Sequence, residues 1–153
     1  VVALLHVDAS MIPMARPSNP TQPTEASDEP TIAHVMTLAP HTIGSDQPLH
    51  LARKIMQEHG LRHLPVLRSG TLIGLVSHRD LLLIERMGVD GNVGSVAETM
   101  TSEVYTARAD EPVREVARAM YLHGYTCAVV VDGSRLLGIF TASDALKQIG
   151  ELR

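Results

Sequence analysis

From Thr31 onward the apolar positions follow two rhythms, and each rhythm occurs twice. Val113, Val116, Ala117 and Met120 are spaced i, i+3, i+4, i+7, one face of a helix, and Leu49, Ala52, Ile55 and Met56 approximate the same stripe. Pro48 and Pro112 each follow a polar or acidic stretch, Ser45-Asp46-Gln47 and Ala109-Asp110-Glu111. This predicts a proline in the first turn of each helix with a cap just before it. Gly60 and Gly124 stand where a left-handed C-terminal cap would stop those helices. Short apolar runs at 63–67 and 127–131 come next, closed by Arg68-Ser69-Gly70 and Asp132-Gly133-Ser134, which is hairpin-turn chemistry. Residues 72–77 and 136–141 read as the returning strands, and a second helix is predicted from Ser77 to about Met87 and from Thr141 to about Leu152. Each half is therefore strand, helix, strand, strand, helix.

The halves are copies of one another. Residues 32–82 align without a gap on 96–146 at a constant offset of 64, with fourteen identities: Ala33/Ala97, Met36/Met100, Thr37/Thr101, Thr42/Thr106, Asp46/Asp110, Pro48/Pro112, Met56/Met120, His59/His123, Gly60/Gly124, Val66/Val130, Leu72/Leu136, Gly74/Gly138, Asp80/Asp144 and Leu82/Leu146. Two copies of this length are too few and too long for a solenoid. An α+β fold is expected, with two similar halves packed about a pseudo-twofold axis and any junction site occurring in pairs. The expected organisation is an N-terminal segment and Pro-rich linker over 1–30, a first repeat over 31–87, a linker over 88–94 and a second repeat over 95–153. Residues 13–30 hold five of the nine prolines among Ser, Thr and acidic residues, with little to bury. The apolar stretch before them, residues 1–12, fits an added strand, a docking segment or the tail of something upstream.

Composition narrows the function classes. With 44% apolar residues, no Trp, one Phe and three Tyr, the core must be aliphatic, and few aromatic platforms exist for stacking nucleic acid. A formal net charge of -4 argues against a phosphate-backbone binder. The single cysteine, Cys127, excludes an internal disulfide and suits a reducing compartment. No run approaches the roughly 18 apolar residues of a membrane span. Val1 to Leu5 lack the flanks of a signal peptide. A soluble, cytoplasmic protein is expected, without nucleic-acid or membrane partners.

The candidate chemistry lies in Gly74-Leu75-Val76-Ser77-His78-Arg79-Asp80 and its match, Gly138-Ile139-Phe140-Thr141-Ala142-Ser143-Asp144. Each places a hydroxyl at a strand end and a carboxylate one helical turn later. A helix N-terminus offers free N–H groups and partial positive charge to a phosphate, and the carboxylate can accept from both hydroxyls of a ribose. The same spacing is that of an ordinary helix cap, Ser or Thr at N-cap with Asp at N3. Spacing alone leaves both readings open.

Leu64-Pro65-Val66, the turn after it, the Gly-x-x-Ser/Thr-x-x-Asp segments, and the openings Val35-Met36-Thr37 and Thr99-Met100-Thr101 resemble, in order, spacing and duplication, the cystathionine beta-synthase (CBS) domain as a tandem pair. The resemblance covers 32 to about 150. It implies two pseudo-symmetric βαββα repeats packed as one module, commonly a dimeric disc. It also implies a regulatory function: an adenine nucleotide or other adenosyl ligand bound in clefts between the copies, with no cofactor required and no catalysis. By this resemblance Asp80 and Asp144 hold ribose hydroxyls, and Ser77 and Thr141 contact ribose or phosphate. Leu61, Arg62 and His63 line the adenine pocket of one site, and Tyr125, Thr126 and Cys127 that of the other. Thr37 and Thr101, with His41 to Ile43 and Tyr105 to Ala107, close the opposite wall. Arg79 and Arg62 give the first site charge to meet phosphate where the second has Ser143 and Thr126, and Val129 replaces Pro65. The first site is therefore expected to prefer a phosphorylated ligand. A homodimer and an effector protein are the further partners implied.

The alternative expectation is a ligand-free module for dimerisation or docking; a third is hydrolytic or metal-dependent catalysis by the His and Asp residues. His78-Arg79-Asp80-Leu81 matches the opening of a kinase catalytic loop, yet position 85, where that motif needs Asn, is Glu, and no Gly-rich phosphate loop exists. His59 and His63 have a metal-ligand spacing, but Gly60 ends the helix between them, so no metal site is expected. Cys127 reads as a small buried hydrophobe without a paired base, and Met56 and Met120 as packing.

Overall fold

In the computed structural model of the chain, residues 29–88 and 94–151 are described. The expectations for residues 1–28, for 89–93 of the inter-repeat linker and for 152–153 at the end of the second repeat lie outside them. The first repeat contains α1 (Ile32–Val35), β1 (Thr37–Leu38), β2 (Ile43–Gly44), α2 (Leu49–His59), β3 (His63–Arg68), β4 (Thr71–Ser77) and α3 (His78–Arg86). The second contains α4 (Val96–Thr99), β5 (Thr106–Ala107), α5 (Val113–His123), β6 (Cys127–Asp132), β7 (Arg135–Thr141) and α6 (Ala142–Glu151). The two hairpins, β3–β4 and β6–β7, are antiparallel and carry the same irregularity, between Val66 and Leu67 and between Val130 and Val131. The first turns through Ser69 and Gly70, both at positive φ, and the second through Gly133 at φ 59°.

Helices α2 and α5 end as the glycines predict. Gly60 and Gly124 are left-handed, at φ 64° and 70°, and donate their N–H groups to the carbonyls of Met56 and Met120. Their starts differ from the expectation by one residue. Pro48 and Pro112 are the N-cap residues themselves, extended at ψ 151° and 136°, with no side-chain cap bond ahead of the helix. A proline cap supplies no hydroxyl or carboxylate, so pre-set φ and the buried stripe start these helices.

The strands form two sheets, ordered β1-β7-β6-β5 and β2-β3-β4. The opening segment of each repeat belongs to the sheet of the other. In the first repeat Thr37 pairs with Ile139 and Leu38 with Gly138; the matched residue Thr101 bridges Leu75 in the opposite sheet. The exchange is reciprocal down to single bonds. Ile32 N–H donates to Glu111 O (2.9 Å) and Ala33 N–H to Ala109 O (2.8 Å), while Val96 N–H donates to Gln47 O (2.8 Å) and Ala97 N–H to Ser45 O (2.9 Å).

Packing follows the exchange. Val96 is fully buried among Ile43, Leu49, Ala52, Met56, Leu64, Val66, Val76 and Leu81 of the first repeat. Ile32 is fully buried among Ala107, Val113, Val116, Met120, Ala128, Val130 and Phe140 of the second. Burying one such side chain contributes about 1.5 to 3 kcal/mol, so each half needs the other to complete its core. The matched glycines permit the approach. A Cβ on Gly138 would lie 2.7 Å from Met36 Sδ and 2.8 Å from Thr37 O; one on Gly74 would lie 2.5 Å from Met100 Sδ and 3.0 Å from Thr101 O.

Candidate functional site: paired strand-end carboxylates

The two strand ends next to this exchange carry the same polar arrangement. Ser77 closes β4 as the N-cap of α3. Its N–H and Oγ both donate to Asp80 Oδ2 (2.9 and 2.6 Å), and Asp80 N–H donates back to Ser77 Oγ (3.2 Å). Thr141 and Asp144 repeat this at 2.8, 2.7 and 3.4 Å. The helix-cap reading is thus realised at both places. It does not exclude the ligand reading, because the capping bonds all fall on Oδ2, and the second oxygen of each carboxylate takes no part in the cap. Ser77, Asp80, Thr141 and Asp144 are all partly exposed.

Each carboxylate is bordered by both repeats. Thr101, paired with Leu75, enters two residues from Ser77, and Thr37, paired with Ile139, enters two residues from Thr141. The segments before β3 and β6 form the other border, held to the helix starts by matched bonds: His78 N–H to Arg62 O (2.8 Å) and Ala142 N–H to Thr126 O (3.0 Å). The segments before β3 and β6 meet each other across the two repeats, where His63 Nε2 and Thr126 Oγ1 are 2.9 Å apart and share a proton whose owner depends on the imidazole tautomer. Burial pushes the His63 pKa below its ordinary value; the Asp80 charge opposes this and the Arg62 charge adds to it.

Three of the sequence-selected residues present no side chain to a ligand. Ile43 and Ala107 belong to the cores, and Cys127 is buried, its thiol pushed up to about 12 by burial. Only their backbone can line a cleft. Arg62 and Arg79 are exposed, and among the described residues neither forms an ion pair. His41 stacks on His59, with ring centroids 3.8 Å apart. Tyr105 and Tyr125 stack on each other at 5.0 Å, and His123 lies against Tyr125 at 5.5 Å.

Sequence reasoning did not find the exchange of opening segments, the His63–Thr126 bond or the tyrosine stack. The first left a trace in the matched Met36/Met100 and Gly74/Gly138 pairs, which a packing argument could have joined. The other two join residues that are not matched to each other. Among the described residues no group of three or more His, Cys, Asp or Glu could hold a metal ion, and no helix is long and apolar enough to cross a membrane.

Comparison with known proteins agrees with this architecture. The chain is 34% identical over 122 residues to a homoserine O-acetyltransferase of Methanococcoides burtonii, covering 78% of this chain and 24% of that protein. It is 26% identical over 115 residues to the CBS domain-containing protein YhcV of Bacillus subtilis, covering 74% of this chain and 81% of that one. The chain thus spans about a quarter of the first relative and most of the second. Among solved structures, the CBS domain pair of protein MJ0100 in complex with 5′-methylthioadenosine and S-adenosyl-L-methionine is similar at TM-score 0.76 and 28% identity, over 82% of this chain and 99% of that chain. A putative acetoin utilization protein (AcuB) from Vibrio cholerae is similar at TM-score 0.72 and 29% identity, over 80% and 91%. The CBS domain model matches residues 32–85 and 93–151, and with the fold, the duplicated caps and these relatives it establishes that the chain belongs to the CBS domain family, which it carries as a tandem pair.

Proposed function

We propose that the chain is a regulatory module that senses an adenosine-containing ligand in two clefts, one at each strand-end carboxylate. The observation that carries this reading is the repeated Ser/Thr–Asp pair, whose cap leaves one carboxylate oxygen uncommitted beside residues from both repeats. The Asp80 and Asp144 carboxylates accept from the ribose hydroxyls. The N-termini of α3 and α6, with Ser77 and Thr141, face the ribose or phosphate. The segments 61–63 and 125–127 meet the adenine, with Thr37, Thr101, His41 to Ile43 and Tyr105 to Ala107 opposite. A similar CBS domain pair is described in complex with two adenosyl compounds, which supports the ligand class.

The clefts are not equivalent. Arg62 and Arg79 bring two exposed cations to the Asp80 cleft, where the matched positions hold Thr126 and Ser143. AMP, ADP and ATP therefore favour the Asp80 cleft. Because both clefts draw on both repeats, an occupant shifts how the repeats sit, and this differential affinity is what a partner reads. The module works as a homodimer: Leu82 and Leu83 on α3 and Leu146 and Ile149 on α6 are 40 to 68% exposed, an apolar surface that a second copy covers.

A thermal-shift panel with AMP, ADP, ATP and S-adenosylmethionine tests this. Ligand at a hundred times its Kd adds about 2.7 kcal/mol, which raises Tm by roughly 5 to 11 °C in a domain of this size. No shift with any of the four favours the ligand-free docking module instead.

A further inference from the structure

Among the described residues, one side-chain hydrogen bond joins the two repeats, that between His63 Nε2 and Thr126 Oγ1 at 2.9 Å. Its ends stand at the two carboxylate caps. His63 pairs with Ser77 across β3 and β4, and the Asp80 charge acts on its imidazole. Thr126 precedes Cys127, which pairs with Thr141 across β6 and β7. The Thr126 carbonyl also accepts from the N–H of Ala142, the first residue of α6 (3.0 Å). At the other end His78 N–H, at the start of α3, donates to Arg62 O (2.8 Å). The start of α3 is thus connected to the start of α6 through Arg62, the His63 side chain and Thr126.

Pseudo-symmetry would place a second such bond between Cys127 and Arg62, the residues matched to His63 and Thr126. It does not form among the described residues. Cys127 is buried and offers a thiol, a weak donor and acceptor, while Arg62 is exposed. The tie therefore belongs to the residues of this chain and is not dictated by the repeated fold. Other links between the repeats, such as Thr37 to Ile139 and Val96 N–H to Gln47 O, are main-chain pairings of the opening segments. A side-chain substitution at position 126 leaves those standing.

We propose that the His63–Thr126 bond couples the two clefts, so that a ligand in one tightens binding in the other. This rests on the adenosine-binding reading above. A ligand against residues 61–63 holds the His63 ring where it meets Thr126, and through Thr126 it holds the segment 125–127 and the start of α6. The second ligand then meets a wall already ordered and gives up less freedom in binding. The bond limits the size of the effect: the net contribution of one hydrogen bond corresponds to about two- to tenfold in affinity. By linkage the coupling acts equally in both directions.

Calorimetric titration of the full chain with AMP measures it. Asp144→Ala leaves the Asp80 cleft and Asp80→Ala leaves the Asp144 cleft. The product of the two wild-type stepwise association constants, divided by the product of these two single-cleft constants, is the coupling factor. It is expected at about two- to tenfold, and at unity when all three chains also carry Thr126→Val, which removes the hydroxyl. A uniform loss of affinity cancels in this ratio, and Thr126→Ser, which keeps the hydroxyl, restores the factor. Amide exchange gives a second readout: in Asp144→Ala, AMP slows exchange of the Ala142 N–H, and Thr126→Val abolishes the slowing. If Thr126→Val does not fold, His63→Leu breaks the bond from the other side. A wild-type factor of unity, or a factor that survives loss of the hydroxyl, overturns the proposal. Where one AMP binds per chain, exchange decides: no slowing at Ala142, or slowing that persists in Thr126→Val, overturns it. Absence of AMP binding in wild type and every variant overturns the adenosine reading and the coupling together.

Discussion

Replacing Gly138 by alanine tests whether the repeats are joined as described. The glycine lies in β7 opposite Leu38 of β1, and a Cβ there would meet Thr37 O at 2.8 Å, Met36 Sδ at 2.7 Å and Met36 Cγ at 3.1 Å. The thioether can swing aside, but the carbonyl is main chain, fixed by β1 pairing and by the Ala39 N–H to Leu137 O bond at 3.2 Å. Ordinary contact requires β1 to retreat by about 0.7 Å, which strains its few hydrogen bonds and lifts Met36 from the core. Overpacking of this kind costs about 1 to 3 kcal/mol. Gly138 is not at positive φ, so alanine also gains about 0.4 to 1 kcal/mol by restricting the unfolded chain. The net expectation is a loss of about 1 to 2 kcal/mol in urea unfolding. Met36→Ala in the same chain relieves the sulfur contacts but not the carbonyl, so it does not restore wild-type stability. A Gly138→Ala protein as stable as wild type, or more so, would refute the exchange of opening strands.

Three further outcomes follow from single groups. Ser77→Ala removes the hydroxyl from the cap of α3 and should cost about 0.5 to 2 kcal/mol in denaturant unfolding, with no loss pointing to a cap carried by Asp80 alone. His63 is half-buried and its folded pKa lies below the unfolded value of 6.5, so the unfolded chain binds more protons as pH falls. Its contribution is complete above pH 6.5 and is lost as pH drops through the folded pKa; His63→Gln should flatten that part of the pH–stability curve, and an unchanged curve would show that His63 does not carry it. Cys127, with its thiol raised to about 12, should react with iodoacetamide at pH 8 only after unfolding, and rapid labelling of the native chain would contradict its burial.

The local elements were legible because each has a short-range cause. Gly60 and Gly124 need the left-handed region, the Arg68-Ser69-Gly70 segment makes a hairpin, and the stripe through Val113, Val116 and Met120 can be buried only as a helix. The partner of β1 was not legible. Two residues carry too little pattern to name the strand they join, and the choice is made by Gly138 and Met36, 102 residues apart in sequence. Of the site, the Ser77–Asp80 and Thr141–Asp144 pairs could be read from spacing, although spacing could not say that the capping bonds fall on one carboxylate oxygen alone. The stacking of Tyr105 on Tyr125 depends on side-chain approach between the segments leading into β5 and β6, and no periodicity records it.

Isothermal calorimetry with AMP and S-adenosylmethionine on wild type, Asp80→Ala and Asp144→Ala tests the ligand-sensing account most directly. It predicts saturable binding by wild type. Asp80→Ala should weaken AMP by about ten- to a hundredfold, the loss of one charge-assisted contact of roughly 1.5 to 3 kcal/mol, and Asp144→Ala should weaken it much less. Binding of neither compound, or affinity indifferent to both carboxylates, would contradict it.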